Sequence, residues 1–566
     1  MNDEKGNGLY NVQIKLRSKG NAPYYTGISG AFGIPLSVNV DTITLQIEGY
    51  ETLTAAVVPN KYLVFSMKPL MLGASVTKYK RLSFTKDDAQ QKHLSFSGDE
   101  SYSTLVENEF MPADKYPETG FVMNVDKASY SNIRRFLNNG SRVPPDAVRT
   151  EELLNYFSIN ADTVVNNTKL FLCNTKLTSC PWNNNNRLLY INLNAPSLAL
   201  DDVPPCNLIF LIDVSGSMDE PNRLPMLKEA FKLLAKNLRA KDSVAIVVYG
   251  GVVGIMLQPT SGSEKDKINN AIEKLQAGGE TPGEAAIIST YSLAEKCFNK
   301  NANNRIILAT DGDFNVGQTS DKELEDLISK ERQSGISLTC LGVGMGNYKD
   351  SKLEILAKKG NGNFAYLDNL NEAEKTLVIE FTKTLYTVAH NAYASVKFNA
   401  AQVKSYRLLG FDNTADALAD TSSALEGGEV GTGHSLLAVF EIVPNESDTL
   451  INTSAANYGT LTLDYQLQDS KNNQQQNFEL INNYKPLNNA DSAVRFATSV
   501  IMFAEALKQS EYSKNYTIDD VIKLASSSAN VNDYSQSEFL QLLQKARKIY
   551  GSKKQKKKKV SAETLF

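Results

Sequence analysis

Residues Cys206–Ser217 read CNLIFLIDVSGS. The run up to Ile212 is apolar apart from Asn207 and shows no alternation, as a strand covered on both faces should. It ends on an acid, Asp213, and a short Ser-Gly-Ser loop follows. Then Leu224, Leu227, Phe231, Leu234 and Leu238 recur at steps of three and four, the stripe of an amphipathic helix. The alternation continues downstream: strand SVAIVVY (243–249), a helix with Ile268, Ile272 and Leu275, and a helix after Thr281. Next come strand RIILAT (305–310) and a helix opened by the capping-box pattern Ser320-Asp-Lys-Glu323. Strand ISLTCLGVG (336–344), a short helix around 353–357, strand NFAYL (363–367) and a long helix to about His390 complete the series. Strands joined by helices over 204–390 predict an α/β unit built on a doubly wound parallel sheet.

The flanks differ. Residues 9–70 alternate apolar and polar in YNVQIKL and ITLQIEGY, with Gly turns in GISGAFGIPL, and predict a small β-sandwich. Residues 71–105 are rich in Ser, Lys and Asp and read as a linker. Residues 106–203 hold two short helices and then strands. The first helix carries Ile133, Phe136 and Leu137 and stops at Asn138-Asn139-Gly140. Residues 391–485 are β-rich. Because few strands bury little alone, they are expected to share one sandwich with 165–200. Residues 486–550 are helical, and 551–566 form a basic disordered tail. The whole is a multidomain α/β chain: a parallel-sheet unit flanked by β-sandwich modules and a C-terminal helical region.

With 566 residues the chain is too long for one core. Its histidines number three, His93, His390 and His434, which argues against His-based zinc sites and Ser-His-Asp hydrolysis. Five cysteines without a CxxC pair do not build a disulfide scaffold, although Cys173 and Cys180 could pair in an oxidising compartment. The net charge is −4, and the body without the six tail lysines is more acidic still, which argues against nucleic acid as a partner. No segment reads as a membrane span, and no apolar leader follows Met1.

The chemistry concentrates at strand ends, where parallel sheets place their ligand sites. Asp213 offers a carboxylate, and Ser215 and Ser217 offer hydroxyls. Asp311 ends the RIILAT strand. Between them GGETPG (278–283) opens a helix and presents Thr281. Thr281-Pro282 with Glu284 is also an ordinary helix start, and the two roles are compatible. Two carboxylates and three hydroxyls suit a hard cation, Mg²⁺ first and Mn²⁺ or Ca²⁺ otherwise. Asp311-Gly-Asp313 opens like an EF-hand loop, but Val316 and Lys322 stand where that loop needs Gly and Glu. Gly342-Val-Gly344-Met-Gly346 lacks the third Gly of a dinucleotide fingerprint and reads as a turn.

DVSGSM, the Thr of GGETPG and the Asp of ATDGD resemble the metal-ion-dependent adhesion site of von Willebrand factor type A domains. That resemblance implies Asp213, Ser215, Ser217, Thr281 and Asp311 as metal ligands. PPDAVRTEELLNYF (144–157), IILATDGDFNVG (306–317), VKSYRLLGFDN (403–413) and GHSLLAVFEIVP (433–444) extend it to a bacterial family over about 108–549. In that family the A domain lies between its own N-terminal region and a C-terminal domain of unknown function. Gly30, Phe32, Ile34, Gly49 and Tyr50 resemble the carboxypeptidase-regulatory β module, a structural adaptor. The resemblance implies a non-enzymatic, metal-dependent protein-binding module of the bacterial cell envelope, in the periplasm or on the outer surface, with a lipid anchor as one means of attachment. Its unknown protein ligand would supply a Glu or Asp. The alternative is a cation-dependent subunit of an ATPase- or chelatase-like complex, although the chain has no GxxxxGK[ST] of its own.

Overall fold

The computed structural model describes residues 2–3, 9, 12–19, 24–27, 30–34, 38, 40–47, 50, 52–59, 61, 63–68, 94–97, 100–159, 171–196, 204–279, 283–312, 321–346, 348–380, 387–414, 428–445, 457–467 and 472–551. The chain divides into two units, 1–78 and 79–566.

In the first unit, four antiparallel strands lie in the order Tyr24–Tyr25, Gln13–Leu16, Asp41–Gln46, Leu53–Val57. Their period of two sends Ile14, Leu16, Ile43 and Leu45 into one small core, against which Phe32, Ile34 and Tyr50 pack. Gly49 lies outside the described residues.

In the second unit, the Cys206–Asp213 strand is buried at every position, as the apolar run from Leu208 to Ile212 predicts. It sits inside a six-stranded sheet ordered Val252–Ser261, Ser243–Gly250, Cys206–Asp213, Asn303–Thr310, Ile336–Val343, Phe364–Leu367. Every neighbouring pair is parallel except the first, a hairpin at one edge. Alternate residues serve opposite faces. Leu208, Phe210 and Ile212 pack under Leu227, Phe231 and Leu234 of the Leu224–Asn237 helix. Ile209 and Leu211 meet Ala286 and Ile287 of the Gly283–Lys296 helix, with Leu324 and Leu353.

Strands from both sides of this α/β unit in the chain share one sheet. Leu172–Ser179 and Arg187–Asn194 lie beside Ser435–Pro444 and Val403–Leu409. Leu189 and Ile191 face a second sheet that contains Thr387–Phe398 and Asn457–Leu467, and they meet Ala394, Val396 and Leu461 in one core. The other side of the first sheet, with Leu188 and Tyr190, is covered by the helices Ser492–Lys508 and Tyr534–Tyr550 through Phe496 and Phe539.

Two readings are corrected, and one pairing left open is decided. The linker ends earlier than residue 105, because Glu100–Ser103 is a buried strand. Its polar composition hides this: the Glu100 carboxylate is inside because Arg135 meets it at 2.6 and 2.8 Å. The last helix does not reach His390, which lies in the Thr387–Phe398 strand, paired on both sides. Neighbouring strands there overrule a helix-like local pattern. Cys173 and Cys180 are free thiols. Seven residues of extended chain separate their backbones by roughly 20 Å, beyond the reach of a disulfide.

Buried ion pairs fasten the α/β unit to its frame. Arg134 and Arg135 lie on the Ala128–Asn138 helix, and Arg149 just before the Thr150–Tyr156 helix. Arg134 reaches Asp368, Glu372 at 2.7 Å and Glu538 at 2.8 Å. Arg149 reaches Asp350 and, at 2.8 Å, Glu354. Burial alone would raise the Glu354 carboxyl, but Arg149 and Lys358 pull it down to about 2. Burial pushes its neighbour Glu152 up to about 8, since Arg149 is shared among several acids. Arg149→Met removes the cation shared by the buried carboxylates of Glu152, Asp350 and Glu354 and should cost about 3–5 kcal/mol in urea unfolding. Glu354 is held below its ordinary 4.5, so its stabilisation is complete above that pH and lost as the pH falls toward about 2. The Glu354→Gln protein should therefore lose less stability than wild type on acidification from pH 5 to pH 3.

Candidate metal site

Asp213 ends the central strand with no exposed surface. Its Oδ1 accepts the backbone N–H of Ser215 at 2.9 Å and its Oδ2 accepts the Thr310 hydroxyl at 2.9 Å. Burial raises its carboxyl above the ordinary value, partly offset by the donors of Ser215 and Thr310, while the charge of Asp311 adds to the rise. The Ser215 and Ser217 hydroxyls face each other at 3.0 Å, Ser215 buried and Ser217 exposed. A hydroxyl that shares one proton with its neighbour keeps lone pairs for a third group. Asp311 is buried at the end of the adjoining strand Asn303–Thr310.

The structure thus brings together Asp213, Ser215, Ser217 and Asp311 at the carboxyl end of the sheet. Thr281 lies outside the described residues, but the Gly278-Gly279 stretch before it is tied to the same loop. The Gly278 N–H donates to the Val214 carbonyl at 2.7 Å, and the Gly216 N–H to the Gly279 carbonyl at 3.2 Å. Gly279 has φ +90°, and a Cβ on it would stand 2.6 Å from the Gly250 carbonyl oxygen. Gly250 likewise leaves no room, with Val214 backbone atoms at 2.7 Å.

These ligand atoms are all oxygens, two carboxylates and two neutral hydroxyls, which fits a hard cation. Among the described residues no three His, Cys, Asp or Glu side chains gather as a metal site, so this two-carboxylate set is the candidate. A cavity of about 620 Å³ lies elsewhere, bounded by Asp126, Tyr156, Tyr366, Lys375 and His434, and none of the four candidate ligands lines it.

Three contributors escape sequence reasoning. Thr310 orients Asp213, and its only signal is its place just before Asp311. Tyr249 pairs in register with Asp213, and burial first, then the Asp213 charge, pushes its phenol far up. Arg223 donates to Asp311 Oδ2 at 2.6 Å from a polar stretch, DEPNR, that carries no pattern.

Comparison with known proteins bears on this geometry. The model of the von Willebrand factor type A domain matches residues 207–378, the stretch that holds all five predicted ligands. A second von Willebrand factor model matches 97–190, and one for the C-terminal part of uncharacterized protein YfbK matches 383–549. The Escherichia coli YfbK protein is 35% identical over 480 residues, 81% of this chain and 83% of its own length. The chain belongs to the YfbK-like von Willebrand factor type A proteins. Inter-alpha-trypsin inhibitor heavy chain H2 of Sus scrofa is 27% identical over 38% of this chain, which spans 23% of that protein. A solved von Willebrand factor type A protein from Catenulispora acidiphila shares 14% identity over 66% of this chain and 89% of its own, with a TM-score of 0.40, too distant to carry weight. Among the described residues no helix is long and apolar enough to cross a membrane.

The glycine packing beneath this family's loop is testable. Gly250→Ala forces backbone against backbone and should destabilise the protein by about 1–3 kcal/mol in denaturant unfolding. Gly254→Ala, whose Cβ would meet only Val248 at 3.9 Å, should leave stability nearly unchanged.

Proposed function

We propose that this protein is a non-enzymatic, divalent-cation-dependent protein-binding module, used for adhesion or assembly in the bacterial cell envelope. The observation that carries the reading is that the ends of two adjoining strands place two buried carboxylates in the same region as two facing serine hydroxyls. Asp213, Ser215, Ser217, Asp311 and Thr281 would hold the ion, Mg²⁺ first and Mn²⁺ or Ca²⁺ as alternatives. A cation held by few charges stays electrophilic and takes a carboxylate from a partner's Glu or Asp as a further ligand. The chain's own part is positional: Thr310 and the Ser215 N–H orient Asp213, and the glycine pair seats the neighbouring loop. Hydrolysis would ask for a base beside a metal-bound water. Asp219 and Glu220 near the loop are exposed, and no described histidine adjoins it. The N-terminal unit, with its alternating four-stranded sheet, serves in this reading as a carboxypeptidase-regulatory-like adaptor that presents the site.

Titration calorimetry tests the core of this reading. The wild-type chain should bind Mg²⁺ with one site, and Asp213→Ala should lose about tenfold or more in affinity, the scale of one charge-assisted ligand. Equal binding by both proteins would remove the assignment.

A further inference from the structure

Arg223 stands at the entrance of the Leu224–Asn237 helix, beside the candidate ligands. One guanidinium nitrogen, Nη1, donates both to Asp311 Oδ2 at 2.6 Å and to the Ser217 carbonyl at 2.6 Å. The other, Nη2, donates to the Met345 carbonyl at 3.1 Å. One side chain therefore bridges the serine loop, the second carboxylate and the turn after the Ile336–Val343 strand. The turn is shaped to receive it: Gly344 has φ +80°, and a Cβ there would stand 2.5 Å from Arg223 Nε. The same turn is held from the frame. The Gly346 N–H donates to Glu100 Oε1 at 3.0 Å, and Glu100 is paired with Arg135. The Asn139 amide meets Met345 Sδ at 3.3 Å. A continuous chain of contacts thus runs from the frame to Asp311.

A guanidinium and a divalent cation cannot share one buried carboxylate cheaply, because both positive charges would lie within a few ångströms in a poorly screened place. Asp311 retains only 3% of its side-chain surface, whereas Arg223 retains 14% and has a path to solvent. We propose that Arg223 is a built-in counter-cation of this site, a latch that neutralises Asp311 in the ion-free state and must leave when the ion binds. Its departure frees the Ser217 and Met345 carbonyls together. Ion binding is thereby coupled to the 344–346 turn, which then keeps its ties to Glu100 and Asn139. The latch sets a threshold: only a cation strong enough to displace an internal arginine switches the site on.

The inference rests on the metal reading above, and the experiment separates the two. Mg²⁺ is titrated by calorimetry into the full chain as wild type, Arg223→Gln, Arg223→Lys and Asp311→Asn with and without Arg223→Gln, with a thermal melt on each. Removing a charge-assisted competitor should tighten Mg²⁺ binding in Arg223→Gln by about tenfold or more. Arg223→Lys, which keeps the charge, should stay near wild type, and the gain should vanish in the Asp311→Asn background. Should Arg223→Gln fold poorly, the wild-type protein gives a second readout. Mg²⁺ should raise several-fold the rate at which phenylglyoxal modifies Arg223, followed by mass spectrometry of its tryptic peptide. Equal or weaker Mg²⁺ binding by a folded Arg223→Gln, or an Arg223 modification rate that Mg²⁺ leaves unchanged while it binds, overturns the latch and leaves the metal site standing. No Mg²⁺ binding by any of these proteins overturns both.

Discussion

An arginine taken out of water has to be met by carboxylates, and this structure is assembled around that requirement. Arg134, Arg135, Arg149 and Arg407 keep 6% or less of their side-chain surface; Arg135 meets Glu100, and the other three each gather several acids, most of them distant in the chain. Arg407 gathers Glu107, Glu441 and Glu505, joining the sandwich to the helical region. Arg134 and Arg149 take acids from the α/β unit. Such pairs add little net stability over apolar packing, but breaking one leaves a bare charge inside. They link the sandwich, the helices and the α/β unit through defined partners.

That arrangement matters because the α/β unit interrupts the sandwich in the chain. Its two ends leave and re-enter strands of the same body, and the arginine seam adds a third line of attachment along its side. A site at the carboxyl end of the sheet is then presented from a braced platform. The turn at 344–346 belongs to both systems at once, facing the serine loop through Arg223 and the frame through Glu100. Contacts therefore run without a break in this chain from Asp311 through Arg223 and the 344–346 turn to Glu100.

Much of this was legible beforehand, and the reasons differ by element. The Cys206–Asp213 strand was readable because a run buried on both faces needs apolar residues throughout, and the helix after it because 3.6-residue periodicity leaves a visible stripe. Asp213, Ser215, Ser217 and Asp311 were readable because strand ends are marked by the change from apolar to polar. The buried strand Glu100–Ser103 was not, since its residues, ESYS, look like a linker until Arg135 is brought to it. His390 was misplaced in a helix because its strand partners lie in sequence at 118–122 and 457–467, far beyond any local window. Arg223 was invisible because an arginine in a polar loop looks the same whether it faces water or a carboxylate.

The sequence by itself determined the fold class of the central unit and four of the side chains that meet at its sheet end, since both follow from local period and from where apolar runs stop. Only the tertiary structure decided which charges are buried, in what order the strands of the two flanks pair, and what Asp311 holds. Those outcomes depend on contacts between residues tens to hundreds of positions apart, from the 35 separating Glu100 from Arg135 to the 404 separating Arg134 from Glu538. No local pattern encodes a contact of that range, because it is the packing of the intervening chain that brings the partners together.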